Sequence, residues 1–262
     1  MKPEAVCKKV CIAVKKAGKF IRNNTGKISS GDVKTKGVHD YVTYVDRTTE
    51  QLLVRELKPI MPGSGFLTEE KTVKTGQREF TWIIDPLDGT TNFIHGVPCF
   101  SVSVALMKGG SLLAGVVYEI NLDECFYAWK GGGAYLNGRR IHVSGTKKIT
   151  DSLLATGFPF YDYSRLDGYM ELFRYFMKNT HGLRRLGSAA VDLAWVACGR
   201  MDGFYEYGLK AWDVAAGAFL VKEAGGEVCD FKGKENYLNG GEIIASNREI
   251  NKEFKRIVAK YL

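Results

Sequence analysis

The stretch Trp82–Phe93 (WIIDPLDGTTNF) restricts what this 262-residue chain can fold into more than any other. Its apolar start, Trp82 to Ile84, reads as a buried strand that delivers Asp85 at its end. Pro86 predicts a turn, Asp88 follows three residues after Asp85, and Gly89-Thr90-Thr91 opens a helix. Two carboxylates thus leave a rigid element beside backbone N–H groups that no helix has yet used. Carboxylate and carbonyl oxygens select hard cations such as Mg²⁺, and a glycine-led helix start suits a phosphate. The plainer reading is a strand, a turn and an Asp cap, which an isolated segment of this kind would satisfy.

The rest of the chain frames this segment. Apolar residues at Val6, Val10, Val14, Ala17 and Ile21 describe one stripe of a helix from Pro3 to about Asn24. A second helix is expected from near Asp46, which is also its candidate cap, to a stop at Pro59. Residues 66 to 145 read as strands, with a hairpin at Gly109-Gly110. Beyond about 150, short strands alternate with helices near 164–178, 188–198, 213–224 and from about 248. The change of texture predicts two parts, an α+β part over 1–147 and an α/β part over 148–262.

Composition removes several classes. At 45% hydrophobic and 25% charged residues the chain is neither disordered nor repetitive. No apolar run approaches the roughly 18–20 residues of a membrane helix, and the N-terminus mixes lysines through its apolar residues, unlike a secretory signal. The cytoplasm is therefore the expected compartment, with no membrane partner. Six scattered cysteines, without a CxxC pair, read as free thiols. The net charge of +8 comes almost wholly from residues 1–40, which hold ten Lys/Arg against three Asp/Glu. That excess is either a solvated lysine-rich helix face or a surface for nucleic acid or an acidic partner.

Other acids join the first segment: Asp46 in DYVTYVD, Glu69-Glu70 at the end of an apolar strand, and Asp213 in WDVAAGAFLVKEAGG (212–226). Taken together, the two long segments and the acids before them resemble the signatures of the inositol monophosphatase family of metal-dependent, lithium-sensitive phosphatases. The resemblance runs from KGVHDYVTYVD (36–46) to the strand EIIASN near the C-terminus. It implies an αβαβα sandwich, an α/β fold of the sugar-phosphatase type with a large, mostly antiparallel sheet and a smaller second part.

The resemblance also implies roles. Glu69 would bind a first metal, Asp85 would bridge metals, Leu87 would add its carbonyl, and Asp88 and Asp213 would complete a second site. The cofactor is Mg²⁺, two or three ions per site. Gly89, Thr90 and Thr91 would meet the phosphate, while Thr90 with Asp46 orients the attacking water and Glu69 completes the catalytic set. Glu70 carries no firm role, and the Lys36 neighbourhood contributes only electrostatically.

The alcohol side is more open. Gly187, Ser188 and Ala189 in RLGSAAVDLAW either line the pocket or pack a helix start. Glu206 matches the position of a carboxylate that contacts inositol hydroxyls, beside Asp88 and Asp213. Arg184 and Arg185 suit a second phosphate or a subunit interface. The implied reaction is hydrolysis of inositol 1-phosphate or a similar polyol or sugar phosphate. Fructose 1,6-bisphosphate, 3′-phosphoadenosine, histidinol and NADP phosphatase activities stay open, as does RNA or transcription-protein binding through the basic N-terminal helix. A homodimer is the usual family arrangement. GFPFYDYSR (157–165) resembles the bacterial branch. His39, His95, His142 and His181 form no ligand cluster, and Trp82, Phe93 and Trp212 read as core.

Overall fold

The computed structural model describes every residue except 1, 38, 39, 74, 76, 77 and 160; the side chains of residues 30, 36, 37 and 40 also lie outside the described set. The expectations attached to Lys36 and His39 therefore fall outside the described residues.

The chain opens with α1 (Pro3–Asn24), with the stripe Val6, Val10, Val14, Ala17 and Ile21 buried and Pro3 in its first turn. Burying each such Val or Ile stabilises by about 1.5–3 kcal/mol before entropy is counted. The small hairpin β1 (Lys34–Gly37) and β2 (Asp40–Val42) precedes α2 (Tyr44–Leu57). Asp46 is not the cap of α2. Thr43 caps it by accepting from the Val45 N–H, and Asp46, three residues on, accepts from the Thr43 N–H and hydroxyl. A reciprocal box of this kind satisfies two backbone donors that an uncapped helix start would leave bare.

Next come β3 (Gly65–Thr68), β4 (Phe80–Asp88), the short α3 (Thr90–His95), β5 (Ser101–Lys108), β6 (Ser111–Glu119), β7 (Glu124–Trp129), β8 (Gly133–Leu136) and β9 (Arg139–Ile141). Strands β3 to β9 lie in sequence order in one seven-stranded sheet, antiparallel except for the β3–β4 pair. The second half holds β10 (Leu153–Thr156), α4 (Leu166–Asn179), β11 (Gly182–Arg184), α5 (Ala189–Ala197), β12 (Gly203–Tyr207), α6 (Ala211–Glu223), β13 (Glu227–Cys229), β14 (Glu242–Ser246) and α7 (Arg248–Tyr261). Its five strands run in the order β11-β10-β12-β14-β13.

Five layers result. Helices α1 and α2 cover one face of the large sheet, α5 and α6 fill the space between the sheets, and α4 and α7 cover the far face of the small one. This is the αβαβα sandwich that the resemblance implies. Strand β6 carries a helix on each face, and glycines set both distances. A Cβ on Gly18 of α1 would lie 2.3 Å from the Tyr118 ring, and one on Gly115 would lie 2.9 Å from the Ala216 carbonyl of α6. Helices α5 and α6 are buried nearly all round, as expected of helices with a sheet on either side. Among the described residues no helix is long and apolar enough to cross a membrane.

Candidate active site

The site grows from the end of β4. Pro86 does not end this strand in a turn, as its sequence suggests; the strand continues to Asp88 through a bulge. Asp85 pairs with Ser103 and Asp88 with Ser101, so three steps on β4 face two on β5. The missing Pro86 N–H makes the ladder give way there, and the bulge redirects both acids. Gly89 then caps α3 in the left-handed region, φ 92°. A Cβ at Gly89 would stand 3.0 Å from the Cys99 carbonyl and 3.1 Å from that of Gly187, so only glycine fits both backbone and space.

Asp46 and Thr90 meet as expected. The Thr90 hydroxyl lies 2.9 Å from Asp46 Oδ1 and 2.9 Å from the Leu87 carbonyl, and it donates to either. Burial pushes the Asp46 carboxyl upward, against the hydrogen bonds from Thr43 and Thr90. Asp85 accepts from the Leu87 N–H at 3.0 Å. Asp88 accepts from the Ser188 hydroxyl at 2.5 Å and the Ala190 N–H at 2.8 Å. Asp213 stands three residues into α6, not at its cap, and accepts from the Lys210 N–H at 2.6 Å.

A cavity of about 500 Å³ opens over these groups. Glu69, Asp88, Gly89, Thr90, Thr91, Gly187, Ser188, Ala189, Glu206 and Asp213 all line it, whereas Asp46, Asp85 and Leu87 lie behind the wall. Acids this close hold one another's protons. Burial, then Glu69, Asp88 and Asp213, push Asp85 well above the usual carboxylate range. Asp88 rises to about 6, chiefly through burial, and Asp213 to about 7 through burial and then the charge of Asp88.

The second half supplies the opposite wall. Glu206 on β12 is buried, and its carboxyl lies over Gly157, where a Cβ would come within 2.0 Å. Ser188 caps α5 and also holds Asp88, so helix-start packing and site-building are one role here. Asn92 of α3 donates to the Cys99 carbonyl at 2.7 Å and the Leu186 carbonyl at 2.8 Å, tying the two halves together under the site. Arg185 lines the cavity, while Arg184 turns away to the Leu183 carbonyl. Trp82 and Phe93 are core, but Trp212 lines the cavity while also packing on the core. His95, His142 and His181 are exposed. Asp192, Tyr41, Lys71 and Tyr161 also line the cavity, and sequence reasoning did not find them. Only Asp192 carried a signal, an acid within the apolar run AAVDLAW.

The donors suit a hard divalent cation: four carboxylates and a backbone carbonyl, with charges that raise one another's proton affinity. Among the described residues no group of three or more His, Cys, Asp or Glu is drawn into a ready-formed ligand set.

The sequence profile of the inositol monophosphatase family matches residues 3–261. An inositol-1-monophosphatase of Mesorhizobium japonicum is 43% identical over 95% of this chain and 94% of its own. The Nus factor SuhB of Pseudomonas aeruginosa is 45% identical over the same shares, 95% and 94%. Among solved structures, the extragenic suppressor protein SuhB of Bartonella henselae superposes with a TM-score of 0.92 at 41% identity, covering 97% of this chain and 98% of that one. The inositol monophosphatase of Thermotoga maritima gives 0.87 at 36% identity, with 96% and 95% covered. A match along nearly the whole length, at these identities and on this fold, means that the chain belongs to the inositol monophosphatase family.

Proposed function

We propose that the chain is a Mg²⁺-dependent phosphomonoesterase that releases inorganic phosphate from inositol 1-phosphate or a similar small polyol or sugar phosphate. Family membership supports a phosphatase. The observation that carries the finer reading is the Thr90 hydroxyl, held by buried Asp46 and the Leu87 carbonyl at the edge of a cavity lined by Glu69, Asp88 and Asp213. With its proton committed to those acceptors, Thr90 Oγ1 keeps a lone pair to receive a hydrogen from water and aim its oxygen at phosphorus. Asp46, raised by burial, is placed to take up the proton passed through Thr90.

Glu69, Asp85, Asp88, Asp213 and the Leu87 carbonyl would hold two or three Mg²⁺ ions, which supply charge neutralisation at the phosphate and the leaving oxygen and make water a better nucleophile. The backbone N–H groups of Gly89 and Thr90 face the phosphate, with Thr91 beside them. Gly187, Ser188, Ala189 and Glu206 form the wall for the alcohol. In this reading residues 1–147 carry most metal-binding acids and residues 148–262 complete the pocket, the active form is a lithium-sensitive homodimer, and its compartment is the cytoplasm.

Phosphate release from inositol 1-phosphate, fructose 1,6-bisphosphate, 3′-phosphoadenosine 5′-phosphate, histidinol phosphate and NADP, each with Mg²⁺ and with EDTA, tests this. Fastest turnover of inositol 1-phosphate, abolished by EDTA, is expected. Preference for another member would move the substrate, and inactivity on all of them would sink the reading.

A second reading rests on relatives named Nus factor SuhB and on α1, whose Lys8, Lys9, Lys15 and Lys16 are exposed. In it the protein binds RNA or a transcription protein. Neutralising those four lysines should then weaken RNA retention in a salt-dependent manner and spare turnover. Unchanged retention would remove its support.

A further inference from the structure

The turn after Glu69 holds a lysine in a backbone conformation that its side chain does not favour. Lys71 lies in the left-handed region, φ 54°. Among the described residues other than glycine, only Asp123 and Asn137 share that region. Aspartate and asparagine enter it with help from their short polar side chains, and glycine enters it freely; lysine has neither advantage.

A neighbouring helix imposes the turn. Glu50 of α2, fully buried, accepts from the Glu70 N–H and the Thr72 N–H at 2.7 Å each, and from the Thr72 hydroxyl at 2.6 Å. One carboxylate therefore grips the backbone on both sides of Lys71, with charge-assisted bonds that outweigh the cost of the turn. Glu50 stands four residues after Asp46, so one face of α2 fixes both this turn and Thr90. Strained backbone held so firmly beside a cavity points to a use for the side chain it carries.

That side chain is exposed and lines the same cavity as Glu69, Asp88, Gly89 and Thr90. Among the described residues no ion pair or hydrogen bond engages its ammonium. The cavity's other cations are already balanced: Arg185 offsets the charges of Asp88, Asp192 and Glu206, and Lys210 that of Asp213. Among the described residues this leaves Lys71 to meet an entering anion.

We propose that Lys71 binds the phosphate group of the substrate, its ammonium meeting a phosphate oxygen from the solvent side while the Gly89 and Thr90 N–H groups face the buried side. This rests on the phosphatase reading above and adds to it a contact that the metal-binding acids do not supply. A fixed cation at the entrance also offsets acids that would otherwise repel a phosphate dianion.

Three variants test it. Lys71→Met keeps the length and removes the charge, Lys71→Arg keeps the charge, and Lys71→Gly removes the side chain together with the backbone strain. KM for inositol 1-phosphate should rise about fivefold in Lys71→Met and Lys71→Gly with kcat nearly unchanged, the size expected of one partly exposed charge pair, and should recover in Lys71→Arg. Added salt should narrow the gap between wild type and Lys71→Met. Lys71→Gly should melt no lower than wild type, and a lower melting temperature would make the residue structural. Mg²⁺ affinity in calorimetric titration should be no weaker in Lys71→Met, because a cation beside the acids has been removed. An unchanged KM in Lys71→Met, no recovery in Lys71→Arg, or a KM rise matched by weaker Mg²⁺ binding would overturn the proposal. Binding of inorganic phosphate in the presence of Mg²⁺ gives a readout that needs no turnover. Should wild type hydrolyse no ester of the panel, the phosphatase reading falls; phosphate binding weakened in Lys71→Met would still uphold the contact, and equal binding, or none by either, would end it.

Discussion

On the wall built by α2, β4 and α3 the chain anchors its own acids, whereas on the wall built by α5 and β12 it buries them and leaves them largely to one another. Asp46 is held by Thr43 and Thr90, Asp85 by the Leu87 N–H, and Asp88 by Ser188 and the Ala190 N–H. Across the cavity Asp192 Oδ1 has no partner among the described residues, and Glu206 sits over Gly157 with Arg185 as its countercharge. Anchored acids keep their geometry whether or not a ligand is present, which suits positioning. The unanchored pair is instead driven toward the protonated form, chiefly by burial.

The first way to break this contrast is Asp88→Asn. The amide still accepts from Ser188 and Ala190, so circular dichroism should show the native fold while the rate drops by at least about two orders of magnitude. Wild-type turnover would remove Asp88 from the chemistry. Next is Thr90→Val, which keeps the shape but deletes the hydroxyl between Asp46 and Leu87. Its kcat should fall about tenfold to a hundredfold with little change in KM; a change confined to KM would place Thr90 in binding alone.

On the opposite wall, Gly157→Ala forces the Glu206 carboxyl to move, since the new Cβ would lie 2.0 Å from it. KM for inositol 1-phosphate should rise about tenfold and kcat much less, as expected where an alcohol contact is disturbed. A kcat defect of equal size would blur the two walls.

The smallest expected effect is on stability. Asp88 and Asp213 rise from an ordinary value of 3.8 to about 6 and about 7, so between these limits the folded chain binds more protons than the unfolded one. Metal-free protein should therefore lose stability as pH rises from about 4 to 7. A melting temperature roughly 5 °C lower at pH 8 than at pH 5, largely recovered with Mg²⁺, is expected from scanning calorimetry. A flat profile would mean that the acids do not repel one another as their crowding implies.

Much of this was legible because it is local. The stripe and Pro3 point to α1, Gly109-Gly110 points to the β5–β6 hairpin, and the two long signatures carry the site acids through their resemblance. Asp46, a candidate cap by sequence, stands three residues inside α2 and bonds back to the backbone N–H of Thr43, as Asp213 does to that of Lys210 in α6. An acid marks a helix start to within a turn, and only the hydrogen bond fixes the register. Glu50 shows what stayed hidden: it is buried on α2 and accepts from the N–H groups of Glu70 and Thr72, bracing the loop that carries Glu69. Its partners lie about twenty residues away, and no periodicity encodes such a contact. Asp192 escaped because an acid in an apolar helix gives no sign of which cavity it borders.

Helices α5 and α6 also set a schedule. A ribosome delivers the seven-stranded sheet well before residues 189–223, so Ile83, Ala105, Val117 and Phe126 wait without the helices that cover them. Ser188 and Ala190, which hold Asp88, arrive in the same late stretch. Chains arrested near residue 147 should accordingly be cut by protease where full-length chains resist; equal resistance would show that the early part closes on itself. By this order a chain that stops short of α5 and α6 has no complete site, and phosphatase activity begins only once residues 188–213 have joined the sheet.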